Sequence, residues 1–186
     1  MRGVRRHRDF VEALRQQVIK FSDENAIIET QRLRLVPLVQ AHASSLFPIL
    51  SDGALYEFTQ ETPPVSLSAL SDRFALLESR HSPDGTQSWL NWLLLESSDA
   101  IGYVQATVTG AEADVAWVVG VPWHCQGYAT EAAAAMILWL QAVGVRVIRA
   151  KIHPTHSASQ RVAVKVGFSP THEVVDGEAV WVFAAK

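Results

Sequence analysis

Cysteine is almost missing from this chain. Cys125 is the single one among 186 residues, so no intrachain disulfide can form and no thiolate metal cluster can assemble; no metal site is expected. Long apolar runs are missing too. No stretch reaches the length of a bilayer crossing without a charge or a break. The run from Ala132 to Val143 has the size of a buried helix instead. An excess of positive charge is lacking: the net charge is -3, which argues against general nucleic-acid binding. The Gly-Lys-Ser/Thr of a nucleotide P-loop does not occur, nor do the three spaced glycines of a dinucleotide fingerprint. The opening "MRGVRRHRDFVEALRQQVIKFS" is basic but has no continuous apolar core, so it is not a secretory signal. The expectation is a cytoplasmic protein that engages neither membrane nor nucleic acid.

What is present suits one folded domain. The length allows a real core, and 48% of the residues are hydrophobic. Phe10, Leu14, Val18 and Phe21 recur at helical spacing until "DENA" breaks the pattern. Residues 1–25 therefore read as a helical N-terminal extension, and residues 26–186 as the main domain. The apolar stripe of the extension suits a groove cover or a subunit contact, and a homodimer is allowed.

In the main domain, Leu33 and Leu35 alternate with Arg32 and Arg34, as in a strand with one solvated face. Pro37 closes it. A helix follows from about Val39 to Leu50, with Pro48 expected to bend or end it. A second helix spans roughly Leu67 to Arg80. "TQSWLNWLLLES", "AIGYVQATVTG" and "ADVAWVVGV" read as three strands. A long helix runs from Thr130 to about Val143, with Gly144 as its stop. "VRVIRAKIHP" is a strand, "SASQRVAVKVG" a helix, and the end two antiparallel strands about a "DG" turn. The order is strand, two helices, three strands, helix, strand, helix, two strands. This is a mixed α/β layer architecture, not a doubly wound parallel one.

The junction "VPWHCQGYATEAAAAMILWL" carries the chemistry. Helix starts leave unpaired amides and partial positive charge, and Gly127 lets backbone approach a ligand closely. Together they can cradle a phosphate or pyrophosphate. A glycine before a helix is also an ordinary turn residue, and Glu131 an ordinary charge in a first helical turn, so the loop alone leaves both readings open.

"GYATEAAAAMILWL" after "VAWVVGVPWHCQ" resembles the acyl-CoA loop of the GCN5-related N-acetyltransferases, and within them the ribosomal-protein N-terminal acetyltransferase branch. "ETQRLRLVPL" resembles that branch's opening strand and "AIGYVQATV" its central hairpin strand. "HPTHSASQRVAVKVGF" resembles its second signature. The resemblance runs from about Ile28 to Lys186. It implies the acyl-CoA N-acyltransferase fold, a strongly twisted mixed β-sheet flanked by helices. Two parallel strands, near Asp114–Val119 and Val147–Ile152, are expected to splay around the thioester of acetyl-CoA. By the same resemblance, the backbone near Val119 and Val121 pairs with the pantetheine arm. The amides of Gln126, Gly127, Tyr128, Ala129 and Thr130 hold the pyrophosphate.

Two positions depart from the family pattern. His124 stands where a Gln or Arg is usual, which leaves diphosphate binding to backbone amides with help from Gln126. His156 replaces an Asn, and its ring is bulkier and titrates near neutrality. Contact of His156 with cofactor or substrate and a plain loop role both stay open. Ser159 matches the signature serine, which implies a hydroxyl near the departing thiolate; a helix-surface or cap serine is the other reading.

The implied reaction is direct acyl transfer to a neutral amine, with proximity and a backbone N–H near Val119 doing much of the work. Asp114, acting through water, and His124 or His156 are candidate bases; Asp114 is equally a strand-end surface carboxylate. Cys125 has no counterpart role in the family. Tyr56, Phe58 and Glu61 fall where the family carries its substrate-covering loop, and Trp123 is a candidate pocket wall. The expected acceptor is a primary amine, with a protein N-terminal α-amine first. A small polyamine, aminoglycoside or amino-acid-like amine is the alternative, and a non-catalytic CoA-binding or structural protein the reading of a different class.

Overall fold

The computed structural model describes residues 26–183. The helix expected around Phe10–Phe21 lies outside the described residues. Eight strands form one sheet in the order β1-β2-β3-β4-β5-β6-β8-β7. They are β1 (Ile28–Glu29), β2 (Leu33–Pro37), β3 (Ser88–Glu96), β4 (Asp99–Thr109), β5 (Glu112–Val119), β6 (Val147–Ile152), β7 (Phe168–Val175) and β8 (Glu178–Phe183). Every neighbouring pair is antiparallel except β5 and β6.

Among the described residues four α-helices flank the sheet: α1 (Ala43–Leu50), α2 (Leu67–Glu78), α3 (Tyr128–Ala142) and α4 (Ser157–Val166). The expected element order holds, with the two-residue β1 added at the edge. The central strands are apolar on both sides because both faces are covered. Leu90, Trp92 and Leu94 of β3 join Val104 and Ala106 in the larger core with α3, while Leu93 joins Leu46, Leu50, Leu70 and Phe74 beneath α1 and α2.

Some boundaries move for local reasons. A turn of 3-10 helix, Gln40–His42, precedes α1, and Pro48 sits inside α1, exposed, without ending it. Ser66 caps α2, its hydroxyl accepting from the Ala69 N–H. The β7–β8 turn carries Asp176 and Gly177 at φ 53° and 83°, the left-handed pair that a two-residue hairpin requires. Helix α3 begins two residues before the expected Thr130, because Gly127 takes φ 86° as its N-cap.

The register of β3 and β4 slips between Leu94 and Leu95, which pair with Gly102 and Ala100. The extra residue is Ile101, a bulge that twists the strand. Beside it, a Cβ on Gly102 would lie 2.1 Å from the Val118 carbonyl oxygen. Only glycine lets β4 approach β5 this closely, one residue before Val119.

Candidate functional site

The parallel pairing of β5 and β6 is short. It covers Glu112, Ala113 and Asp114 against Val147, Ile148 and Arg149, and stops there. β6 continues to Ile152 against β8, while β5 continues to Val119 against β4. The two strands thus fork. The Gly120 N–H donates to the Ile101 carbonyl (2.8 Å), and bonded pairs alternate along an antiparallel ladder. Trp117 and Val119 therefore turn their N–H and C=O groups away from β4, into the fork.

One of these groups is already engaged. The Nε2 of His124 stands 2.8 Å from the Val119 carbonyl oxygen. A carbonyl only accepts, so Nε2 carries the proton in this contact. The imidazole thus aims at the strand edge rather than at the loop that follows. Val121 opens a 3-10 turn, Val121–Trp123, and its carbonyl accepts from the His124 N–H (3.0 Å).

The loop then climbs to α3. Cys125, exposed, and Gly127 both take left-handed backbone, φ 60° and 86°. The first backbone bond of α3 runs from the Glu131 N–H to the Gly127 carbonyl (3.0 Å). The amides of Gln126, Gly127, Tyr128, Ala129 and Thr130 find no acceptor among the described residues. Five such amides at a helix start form an anion cradle, which is the fit a diphosphate needs. The Gln126 side chain folds back to the Pro122 carbonyl (3.0 Å), so its backbone faces the cradle rather than its amide group. The Tyr128 side chain turns inward, buried, with its hydroxyl on Glu96.

Glu131 is not the simple helix-start charge that the sequence suggests. It is 8% exposed and held from the other end of the chain. The Arg32 guanidinium reaches it at 2.7 Å (Nε) and 2.6 Å (Nη2). Arg32 therefore does not occupy a solvated strand face; it precedes β2 and crosses to α3. Alternation around Leu33 could not reveal this, since the partner lies about a hundred positions away.

Across the fork, His156 is the N-cap residue of α4, with no side-chain capping bond. Its ring is free to stack on Phe58, centroids 4.5 Å apart and planes 14° from parallel. Phe58 also meets His153 at 6.0 Å. Burial pushes the His156 pKa below its ordinary value; His153, His124 and Arg161 act in the same direction, and Glu57 opposes them. His153, which the sequence reading passed over, belongs to this cluster. Ser159 lies in the first turn of α4, half-buried, and its hydroxyl has no hydrogen-bond partner among the described residues.

The segment between α1 and α2 covers a cavity of about 260 Å³ on the far face of β4. Tyr56, Val65, Arg73, Phe74, Tyr103 and Gln105 are among its lining residues. The Tyr56 hydroxyl donates to the Leu50 carbonyl (2.8 Å). Glu61 faces Arg73 at 3.8 Å. Tyr103 pairs with Val118 in the ladder, so the cavity abuts the strand that forms the fork. The Tyr103 phenol is pushed up to about 12, chiefly by burial; Arg73 opposes the rise, while Glu61 and Tyr56 add to it.

Not every expected site residue gathers here. Asp114 is the last residue of β5 paired with β6, opposite Arg149. Five residue steps of extended strand separate it from Val119, about 16 Å. Trp123 packs against the larger core and over Gly120, beside Ile49 of α1; it does not line the cavity. Phe58 reaches His156 rather than the cavity. No group of three or more metal-ligating side chains occurs among the described residues, and none of the described helices is long and apolar enough to cross a membrane.

A mixed sheet with one forked parallel pair, running into unbonded amides at a helix start, is the fold of an acyl-CoA acyltransferase. Residues 32–169 match the family model for the acetyltransferase (GNAT) domain. The chain belongs to that family and is an acetyl-CoA-dependent acetyltransferase. No curated protein matches it. Among solved structures it is similar to Mycobacterium smegmatis RimJ in complex with CoA-disulfide, with 18% identity, 85% and 86% of the two chains covered, and a TM-score of 0.72. It is also similar to the microcin C7 self-immunity acetyltransferase MccE in complex with acetyl-CoA and AMP (13%, 84% and 94%, 0.71). A third is a GCN5-related N-acetyltransferase from Brucella melitensis (20%, 89% and 82%, 0.69). At these identities the likeness is one of fold.

Proposed function

We propose that the chain acetylates an α-amine, with a protein N-terminus as the acceptor, as in the ribosomal-protein branch that its sequence resembles. Acetyl-CoA supplies the activated acyl group. The chain supplies alignment, since both partners held together remove most of the entropic cost of encounter. The Val119 N–H, free at the fork, is the donor suited to the carbonyl oxygen as negative charge grows there. The Gln126–Thr130 amides hold the diphosphate, and the backbone at Val119 and Val121 the pantetheine arm. Ser159, with an uncommitted hydroxyl, is the candidate to protonate the leaving thiolate.

The acceptor class rests on one observation: the base at hand is weak. His156 has a lowered pKa, and Asp114 stands at the closed end of the fork. An α-ammonium, at about 7.7–8.0, yields its proton to such a base near neutral pH, whereas a lysine near 10.4 does not. Tyr56, which lines the cavity, and Glu61, paired with the lining residue Arg73, are the candidate contacts to the first residues of the acceptor.

A second reading has support in the size of the cavity. A volume of about 260 Å³ accommodates one side chain or one small amine. A panel of peptides with free N-termini, polyamines, aminoglycosides and amino acids, read by release of free CoA thiol, separates the two. Turnover with peptide α-amines supports the proposal; turnover confined to small amines replaces it with the alternative. Binding of acetyl-CoA without any turnover would leave a non-catalytic role.

A further inference from the structure

Arg32 and Glu131 hold the loop that carries the diphosphate amides. The Glu131 carboxylate accepts at both oxygens. Oε1 takes the Thr30 hydroxyl (2.6 Å) and the Arg32 backbone N–H (2.9 Å), and Oε2 takes the Arg32 guanidinium at Nε (2.7 Å) and Nη2 (2.6 Å). The third nitrogen of the guanidinium, Nη1, donates to the Gln126 carbonyl oxygen (3.0 Å). The guanidinium plane also lies over the Tyr128 ring, 4.3 Å from its centroid. One side chain thus grips the loop at Gln126, the first helical residue at Tyr128 and the first turn at Glu131.

The grip has a directional consequence. In a trans peptide the carbonyl and the following N–H point to opposite sides. With the Gln126 carbonyl drawn toward Arg32, the Gly127 N–H is turned the other way, outward. Glu131 would otherwise place a negative charge one turn from the diphosphate, where it opposes binding. Paired with Arg32 it does not. A lysine could not substitute, since the three contacts need a planar fork.

We infer that Arg32 is a positioning residue for the acyl donor: it sets the Gln126–Gly127 peptide so that the Gly127 amide faces the diphosphate, and it neutralises Glu131 beside it. This rests on the reading that the amides of Gln126–Thr130 hold the diphosphate. It concerns binding geometry and not the acceptor.

The test titrates CoA into isotope-labelled full-length protein, with the Gly127 and Val119 amide resonances followed and the affinity taken from calorimetry. In the wild type both amides shift. In Arg32→Ala, affinity should fall about 10- to 100-fold, the range for losing a hydrogen bond to a charged group. At saturation the Gly127 shift should be lost while the Val119 shift persists. Arg32→Ala leaves Glu131 buried and unpaired, which costs stability. The Arg32→Ala/Glu131→Gln pair removes that charge and should show the same selective loss at Gly127. Unaltered affinity and Gly127 shift in either variant would overturn the inference. So would equal loss at Val119 and Gly127 in the double variant, the sign of a merely structural role. If CoA binds the wild type without moving Gly127, the cradle reading fails first and takes this inference with it.

Discussion

The Nε2 of His124 lies 2.8 Å from the carbonyl oxygen of Val119. The side chain standing where the family usually carries a long polar residue has turned away from the diphosphate loop. It closes instead on the free edge of the forked strand, on an oxygen suited to the pantetheine arm. His124→Ala should therefore remove a competitor. Acetyl-CoA affinity measured by calorimetry should rise by a few fold, within the roughly 0.5–1.5 kcal/mol of one neutral hydrogen bond. A clear fall in affinity would mean that His124 supports the donor rather than competing with it.

Gly102 sets how closely β4 approaches β5. A Cβ there would meet the Val118 carbonyl oxygen at 2.1 Å, and backbone cannot step aside as a flexible side chain can. Gly102→Ala should lower stability by about 1–3 kcal/mol, the usual cost of overpacking, in denaturant unfolding. It should also weaken acetyl-CoA binding, because the displaced segment includes Val119. Stability and affinity both at wild-type level would contradict this account of the bulge.

Most of the fold was legible because its signals are local. The alternation in β2, the "DG" hairpin turn and the apolar run of α3 each lie within one short window, and the structure keeps them in the expected order. The unbonded amides at the start of α3 were legible because a glycine before a helix is also local. The Arg32–Glu131 pair and the His156–Phe58 stack were not. Each joins residues distant in sequence, and each side chain has an ordinary local explanation, a strand face or a loop. Pro48, expected to bend or end its helix, sits inside α1 two residues before its end at Leu50.

His156 should make the protein pH-sensitive. Its pKa is lowered on folding, chiefly by burial, and His42 is lowered for the same leading reason. The unfolded chain then binds more protons once the pH drops below about 6.5. Stability is therefore complete above that value and lost as the pH falls through the folded pKa. Urea midpoints at about pH 8 and about pH 5.5, either side of the ordinary histidine value, should differ more in the wild type than in His156→Asn. An equal pH response in the two would remove His156 from the explanation.

The cavity beneath the segment joining α1 and α2 should govern the acceptor and not the donor. Ala69 lines it on α2. Ala69→Phe should raise the KM for a reactive amine severalfold by filling the space, with acetyl-CoA affinity close to wild type. Loss of donor affinity instead would place the cavity on the cofactor side of the fork.

The central claim is that the diphosphate of acetyl-CoA rests on the Gln126–Thr130 amides. Gly127→Asp tests it most directly. The substitution strains a backbone held at φ 86°, and its side chain, whose Cβ would lie 3.4 Å from the Arg32 Nη2, brings a negative charge beside the cradle and onto the guanidinium that positions it. Calorimetric titration of acetyl-CoA should show firm binding to the wild type and a loss of at least about tenfold, or 1.4 kcal/mol, in the folded variant. Equal affinity in the two proteins would contradict the account.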